Sequence, residues 1–165
     1  MPVLPYSSLL RRLLSPLQQA ADSKTTFNTA SGLDRVVRGV LPMNDASGRV
    51  YVFGDMLVDG GTIINRIVRH KADGSLDTSF TPPVVNGSVY AAVEDSQGRL
   101  YIGGSFTAVG STTTTRIARL TSAGALDTSF PMATGPNSTV QAMDLDETLG
   151  RLYIGGACCS REGCE

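Results

Sequence analysis

The chain has 165 residues, of which 41% are hydrophobic and 18% charged, with a net charge of −1; this is the balance of a folded domain rather than a disordered segment. A near-neutral chain has no basic field to draw nucleic acid or an anionic membrane, and no apolar run approaches the roughly 18 residues of a spanning helix. Eighteen glycines, eight prolines, 6% aromatics and no tryptophan point to many turns and short strands, and so to an all-β fold.

The first segment, MPVLPYSSLLRRLLSPLQQAADSK, carries Leu9, Leu10, Leu13, Leu14 and Leu17 at helical spacing behind a serine cap at Ser7 or Ser8. A short helix here either anchors the chain to a neighbour or packs on the chain's own sheets. Its arginines, with no acid before Asp22, overlap the composition of transit peptides, whereas Arg11, Arg12 and Pro16 interrupt the apolar core of a secretory signal.

From about Phe27 onward the chain repeats itself every fifty or so residues, a period found in propeller-type arrays. GRVYVFGDM (48–56), GRLYIGGSF (98–106) and GRLYIGGAC (150–158) are three copies of one segment. NRIVRHKADGSLDTSF (65–80) and TRIARLTSAGALDTSF (115–130) are two copies of another. VVRGVLPM, VYAAVED and VQAMDLD, beginning at Val36, Val89 and Val140, precede the Gly-Arg words, and Phe27 in KTTFNTA closes a partial unit upstream. Each unit reads as four short strands, an antiparallel blade.

The turns set the register. Gly74 and Gly124 fall at the left-handed position of three-residue turns. Residues equidistant from such a turn face each other, so Arg69 is expected opposite Asp77 and Arg119 opposite Asp127. The same rule places Asp45, Asp95 and Glu147 opposite Arg49, Arg99 and Arg151. Each pair would contribute roughly 0.2–1 kcal/mol if exposed; their main effect is to fix register, because a slip of one residue separates all of them. Tyr51, Tyr101 and Tyr153 begin strands with the composition of two-sided burial, and the doubled glycines that follow imply close backbone approach.

The loop Thr112, Thr113, Thr114 and Thr115 joins the second and third strands, where Gly60 to Ile64 lies in the other copy; it is a candidate for partner contacts or is simply solvent-exposed. His70, the sole histidine, occupies the repeat position of Leu120 and lacks a paired nucleophile or second base, so it reads as structural. Asn86-Gly-Ser88 and Asn137-Ser-Thr139 match the glycosylation pattern, but their recurrence at one repeat position favours turn chemistry. Asp144, Asp146 and Glu147 lack the spacing of a calcium loop. Cys158, Cys159 and Cys164 form neither a disulfide framework nor a zinc motif, and Cys158 shares the repeat position of Phe106. No metal, cofactor or catalytic residue is expected.

The combination of Gly-Arg-Leu-Tyr-Ile-Gly-Gly-Ser-Phe, Arg-Ile-Ala-Arg-Leu and Leu-Asp-Thr-Ser-Phe resembles the delta-60 repeat, a β-propeller-forming repeat of bacterial surface proteins and some phage structural proteins. The resemblance spans about Phe27 to Ala157. It implies blades and binding roles at a particle or cell surface, and it transfers no catalytic residue. Residues 1–26 are then an N-terminal helical anchor, 27–157 the repeats and 158–165 a cysteine-containing tail. The expected fold is an incomplete β-propeller-like array, two full blades plus partial ones. Propellers close with about four to eight blades and open sheet edges template association, so an oligomer or a larger particle is expected. The expected role is that of a non-enzymatic structural or adhesive subunit of a virion or extracellular surface, with other protein subunits as partners and a surface glycan as a candidate ligand. The alternatives are a glycan-active propeller enzyme and a fragment of a longer secreted propeller protein.

Overall fold

The structure, a computed structural model, describes residues 33–131 and 135–157. The N-terminal leucine stripe, Phe27 and the three cysteines lie outside the described residues.

Three units follow one another. The first contains β1 (Val37–Pro42), β2 (Val50–Gly54), β3 (Val58–Asp59), β4 (Thr62–Ile63) and β5 (Ile67–His70). The second contains β6 (Val89–Glu94), β7 (Leu100–Gly104), β8 (Ala108–Val109), β9 (Thr112–Thr113) and β10 (Ile117–Leu120). The third contains β11 (Val140–Asp146) and β12 (Arg151–Gly156). Among the described residues there is no helix, and the main sheets are antiparallel with orders β1-β2-β5, β6-β7-β10 and β11-β12. These are propeller blades stacked in chain order: β6 packs on β1 and β2, and β11 packs on β6 and β7.

Two features differ from the four-strand expectation. The Leu-Asp-Thr-Ser-Phe segment contributes one bridge per unit, His70 to Leu76 and Leu120 to Leu126. It then turns away, because Phe80 N–H bonds back to the Asp77 carbonyl and Phe130 N–H to that of Asp127. The connection between the second and third strands is itself a hairpin, β3–β4 or β8–β9. Gly60 and Gly61, with φ of 57° and 81°, provide the two consecutive left-handed residues of a two-residue turn. Isolated bridges from Leu33 to Asp59 and from Val85 to Val109 tie these small hairpins to the segments that lead into β1 and β6.

Side chains alternate across each blade. Tyr51, Phe53, Ile67 and Phe80 of the first unit share a buried cluster with Leu100, Ile102, Ala118 and Leu120 of the second. Val52 and Val68, on the opposite face of the first blade, pack with Met56 and Ile64. The cores therefore lie between sheets, and neighbouring blades stabilise one another by apolar burial.

One backbone device recurs in all three units. The β1–β2, β6–β7 and β11–β12 ladders each shift register after the first pair, between Val37 and Gly39, Val89 and Ala91, and Val140 and Ala142. This is a β-bulge. It brings the carbonyls of Val36, Ser88 and Thr139 over Gly54, Gly104 and Gly156, where they accept the N–H groups of Asp55, Ser105 and Ala157 at 2.9, 3.0 and 3.1 Å. A Cβ on Gly104 would lie 1.9 Å from the Ser88 oxygen, and one on Gly156 2.0 Å from that of Thr139. The first-paired valines also place the start of the first unit's strand at Val37 rather than Val36.

The two glycines of the Tyr-Ile-Gly-Gly word therefore carry different constraints. Gly104→Ala should lower stability by about 1–3 kcal/mol or abolish folding, since the obstacle is backbone, whereas Gly155→Ala meets, among the described residues, only the Ala142 Cβ at 3.8 Å and should fall within about 0.5 kcal/mol of the parent. Urea unfolding of the two variants measures the contrast.

Candidate functional site

The repeated polar constellation is an arginine clamp at the outer edge of the first two blades. In RHKADGSLD the chain reverses through Ala72, Asp73 and Gly74; Lys71 N–H bonds the Ser75 carbonyl at 2.8 Å, and Gly74 takes φ of 84°. Thr121 and Ala125 flank the equivalent turn at 2.8 Å, with Gly124 at φ of 92°. These turns put Arg69 beside Asp77 and Arg119 beside Asp127: in each pair Nε donates to Oδ2 at 2.7 Å.

The aspartate accepts on both sides. Asp77 Oδ1 takes bonds from the Ser79 hydroxyl at 2.6 Å and the Ser79 N–H at 3.1 Å, and Asp127 is bound in the same way by Ser129. Arg69 Nη2 closes the ring by donating to Ser79 Oγ at 2.9 Å, as Arg119 Nη2 does to Ser129 at 3.0 Å. Each guanidinium also lies over two aromatic rings, Arg69 at 5.0 Å from Phe80 and 5.9 Å from Tyr51, Arg119 at 5.2 Å from Phe130 and 5.7 Å from Tyr101. Those rings meet edge to face, with centroids 5.2 and 5.5 Å apart, a favoured aromatic geometry. The Leu-Asp-Thr-Ser-Phe word thus supplies three parts of one clamp, an acceptor, a bridging hydroxyl and a ring, all on the arginine.

The clamps differ in their outer neighbours. Arg69 Nη1 donates to the Ser122 carbonyl of the next blade at 2.8 Å, and Thr81 N–H bonds the Ala123 carbonyl at 3.0 Å. Arg119 Nη1 is instead near the Tyr101 hydroxyl at 3.4 Å. The side chains of Arg69 and Asp77 are accordingly 4% and 6% exposed, against 13% and 17% for Arg119 and Asp127. Burial pushes the Asp77 carboxyl up, but the bonds from Ser79 and Arg69 outweigh it and hold the group well below the usual carboxylate range. The Ser129 hydroxyl, with Arg119 adding to it against the push of burial, lowers the Asp127 carboxyl.

The turns between the first two strands vary. In the second unit Asp95 N–H bonds the Arg99 carbonyl across a three-residue turn, and Arg99 Nε donates to Asp95 Oδ2 at 2.6 Å. In the first unit Met43, not Asp45, stands opposite Arg49; Asp45 still pairs with Arg49 within the longer turn, and its carboxyl is lowered to about 2, chiefly by the Ser47 hydroxyl. In the third unit Asp146 pairs with Arg151 in the ladder, so the expected Glu147–Arg151 register is corrected by one residue. Glu147 reaches instead to the preceding blade, where it accepts the Ser96 N–H at 2.6 Å and the Ser96 hydroxyl. Glu94 does likewise one blade earlier, accepting Asn44 N–H at 2.9 Å and the Tyr51 hydroxyl at 3.3 Å. Extra residues in the first and third turns account for these departures.

The segment expected as a variable loop is ordered: Thr112 and Thr113 form β9, Thr114 is buried with its N–H on the Thr107 carbonyl at 2.9 Å, and Thr113 is the exposed one of the four. Asn86 staples the same hairpin through Oδ1, which accepts Thr107 N–H at 2.8 Å and Ala108 N–H at 3.0 Å; Asp34 holds Leu57 and Val58 in the same manner. His70 is buried, with Nδ1 at 3.0 Å from the Gly74 carbonyl and Nε2 at 3.3 Å from Asp59 Oδ2, which brings the sheet and the small hairpin together. Two residues escaped sequence reasoning: Arg66 and Arg116 both take φ of 65°, uncommon outside glycine, so that their carbonyls accept the N–H groups of Gly54 and Gly104. Nothing in an Asn-Arg-Ile or Thr-Arg-Ile word signals this. Among the described residues, no group of histidine, cysteine, aspartate and glutamate side chains could hold a metal ion, and no helix is long and apolar enough to cross a membrane.

The stacked sheets and the clamp repeated along them define a β-propeller-type repeat protein. In agreement, a family profile described as "domain of unknown function (DUF5122) beta-propeller" matches residues 46–80 and 96–130, and one described as "two component regulator propeller" matches residues 83–106. No curated protein and no solved structure matches the chain.

The two clamps should respond unequally to loss of the cation. Arg69→Met removes the nearer cation from a buried carboxylate, leaving Arg49 Nη1 at 3.5 Å, and should cost about 3 kcal/mol, whereas Arg119→Met, at a more solvated clamp, should cost about 1 kcal/mol; chemical denaturation of each variant gives the difference. Because Asp77, Asp127 and Asp45 are lowered in the folded state, their stabilisation is complete above the ordinary aspartate value of about 3.9 and is lost as pH falls through each lowered value. Stability should therefore drop between about pH 4 and pH 2, and Asp77→Asn should flatten that limb in a pH series of thermal melts.

Proposed function

We propose that the chain is a non-enzymatic structural or adhesive subunit, a delta-60-type repeat protein working within a phage virion (tail, fibre or head decoration) or a bacterial surface assembly. The observation that carries this reading is the pair of outer blade faces. Val37 and Val40 on the first blade and Tyr153 on the third are exposed on faces that the next sheet covers at the internal junctions. Apolar surface of this kind marks sites of protein association. The chemistry of the repeated polar groups supports the same conclusion, since Arg69 and Arg119 are each engaged in a clamp within their own blade. In this reading the leucine stripe from Leu9 to Leu17 docks the subunit on a neighbour, other protein subunits cover the blade faces, and a surface glycan is a candidate ligand at the particle or cell exterior.

Mass spectrometry of purified particles or surface layers from the source organism should find the chain as a stoichiometric component. Deleting residues 1–22 should reduce its incorporation at least tenfold. A glycan array read alongside a product-release assay should give binding or no response, without turnover. Absence from every particle fraction, or release of a glycan product, would sink the proposal.

A further inference from the structure

Repeat equivalence identifies what the two outer faces lack. Val37, Val89 and Val140 are the first-paired residues of their units, opposite Gly54, Gly104 and Gly156; Val40, Ala92 and Met143 are likewise equivalent, opposite Val52, Ile102 and Ile154. Val89 and Val140 each meet a preceding blade and are 0% and 1% exposed, whereas Val37 is 40% exposed and Val40 56%. The other face follows the same logic: Tyr51 and Tyr101, each covered by a following blade, are 0% and 7% exposed, and Tyr153 is 49% exposed.

The internal junction shows how such faces fit. A Cβ on Gly103 would come within 2.7 Å of Val140 Cγ1 and 2.6 Å of Met143 Sδ. Gly103 is therefore a seat, kept empty of side chain so that two residues of the next blade's first strand can enter it. Gly155 stands at the same repeat position, paired with Ala142 as Gly103 is with Ala91, and among the described residues nothing but the Ala142 Cβ, at 3.8 Å, lies near it. The first blade fills this position with Phe53, in one cluster with Val89 and the small Ala92 of the following strand. Bulk on one side is thus exchanged for bulk on the other: phenylalanine against alanine, glycine against methionine. Glycine at position 155 calls for a larger partner, and Val37 and Val40 are the residues of this chain that hold the matching places on an exposed strand.

We propose that the Gly155 seat, beside Tyr153, takes Val37 and Val40 of a second copy, head to tail. The inference rests on the assembly reading above and specifies its first partner. The contact is heterologous, and heterologous contacts form a ring where the rotation between copies closes; we take closure to occur after two copies. The three main sheets of each chain then make a six-sheet ring, within the range of about four to eight blades over which propellers close.

The full chain, followed by sedimentation and light scattering across a concentration series, should have twice the chain mass of 17.4 kDa. Gly155→Leu fills the seat at a position with open space around it, and Val40→Asp charges the opposite face; each should lose the dimer while keeping the parent's thermal unfolding transition. A one-to-one mixture of these two variants retains one intact junction and should regain a dimer at higher concentration. A monomeric parent chain overturns the proposal, as does a dimer indifferent to both substitutions, or a mixture that stays monomeric. A parent that is monomeric alone yet abundant in purified particles rejects self-pairing and leaves the assembly reading standing, with another subunit or another segment of the chain on the seat.

Discussion

The guanidinium of Arg69 is where the levels of this fold meet. Its Nε fixes the hairpin by holding Asp77, its Nη2 holds the Ser79 hydroxyl, its flat face covers Phe80, and its Nη1 reaches the carbonyl of Ser122 in the next blade. A lysine offers a point charge and cannot serve these directions at once. Local turn, strand order and inter-blade contact are thus coupled through one planar cation, which explains why the acid, the serine and the phenylalanine travel together as a word. Deep burial of such a group is tolerable because nearly every direction around it is occupied by an acceptor or a ring.

The inner edge depends on a different constraint, the closeness of two backbones. The bulge at the start of each unit pushes a carbonyl into the space where a side chain would stand, and only glycine at positions 54, 104 and 156 leaves room. Clamp and bulge act at opposite ends of a blade, the first through charge and the second through exclusion of volume. Between them, the apolar residues need only alternate correctly to fill the space between sheets. The acids at the turns add direction. Glu94 and Glu147 each reach back to the preceding turn, so the stack has a head and a tail.

Much of this was legible in the amino-acid sequence because repetition turns weak local signals into strong ones. One Ala-Asp-Gly turn is ambiguous; the same turn fifty residues later, with an arginine and an aspartate at matching distances, fixes a register. The doubled glycine announced close backbone approach for the same reason. What could not be read is either unshared between the repeats or too short or unmarked to leave a pattern. The turns between the first two strands hold different numbers of residues, so the distance rule placed Glu147 opposite Arg151 when the ladder pairs Asp146 there. The small hairpin after the second strand is two residues per side, too short for an alternating pattern to show. The left-handed Arg66 and Arg116 carry no compositional mark at all, since their conformation is imposed by the bond their carbonyls make.

The unequal turns have a further meaning. Three different lengths connect the first two strands of the three units, yet beyond each turn the ladder resumes and the bulge restores the same inner geometry. Length changes at that rim are absorbed where they occur and do not propagate inward. The rim around Ala46 and Leu149 can therefore vary in evolution, or accept a grafted peptide, independently of the blade beneath it, which gives the array one surface free to diversify over a frame that is not.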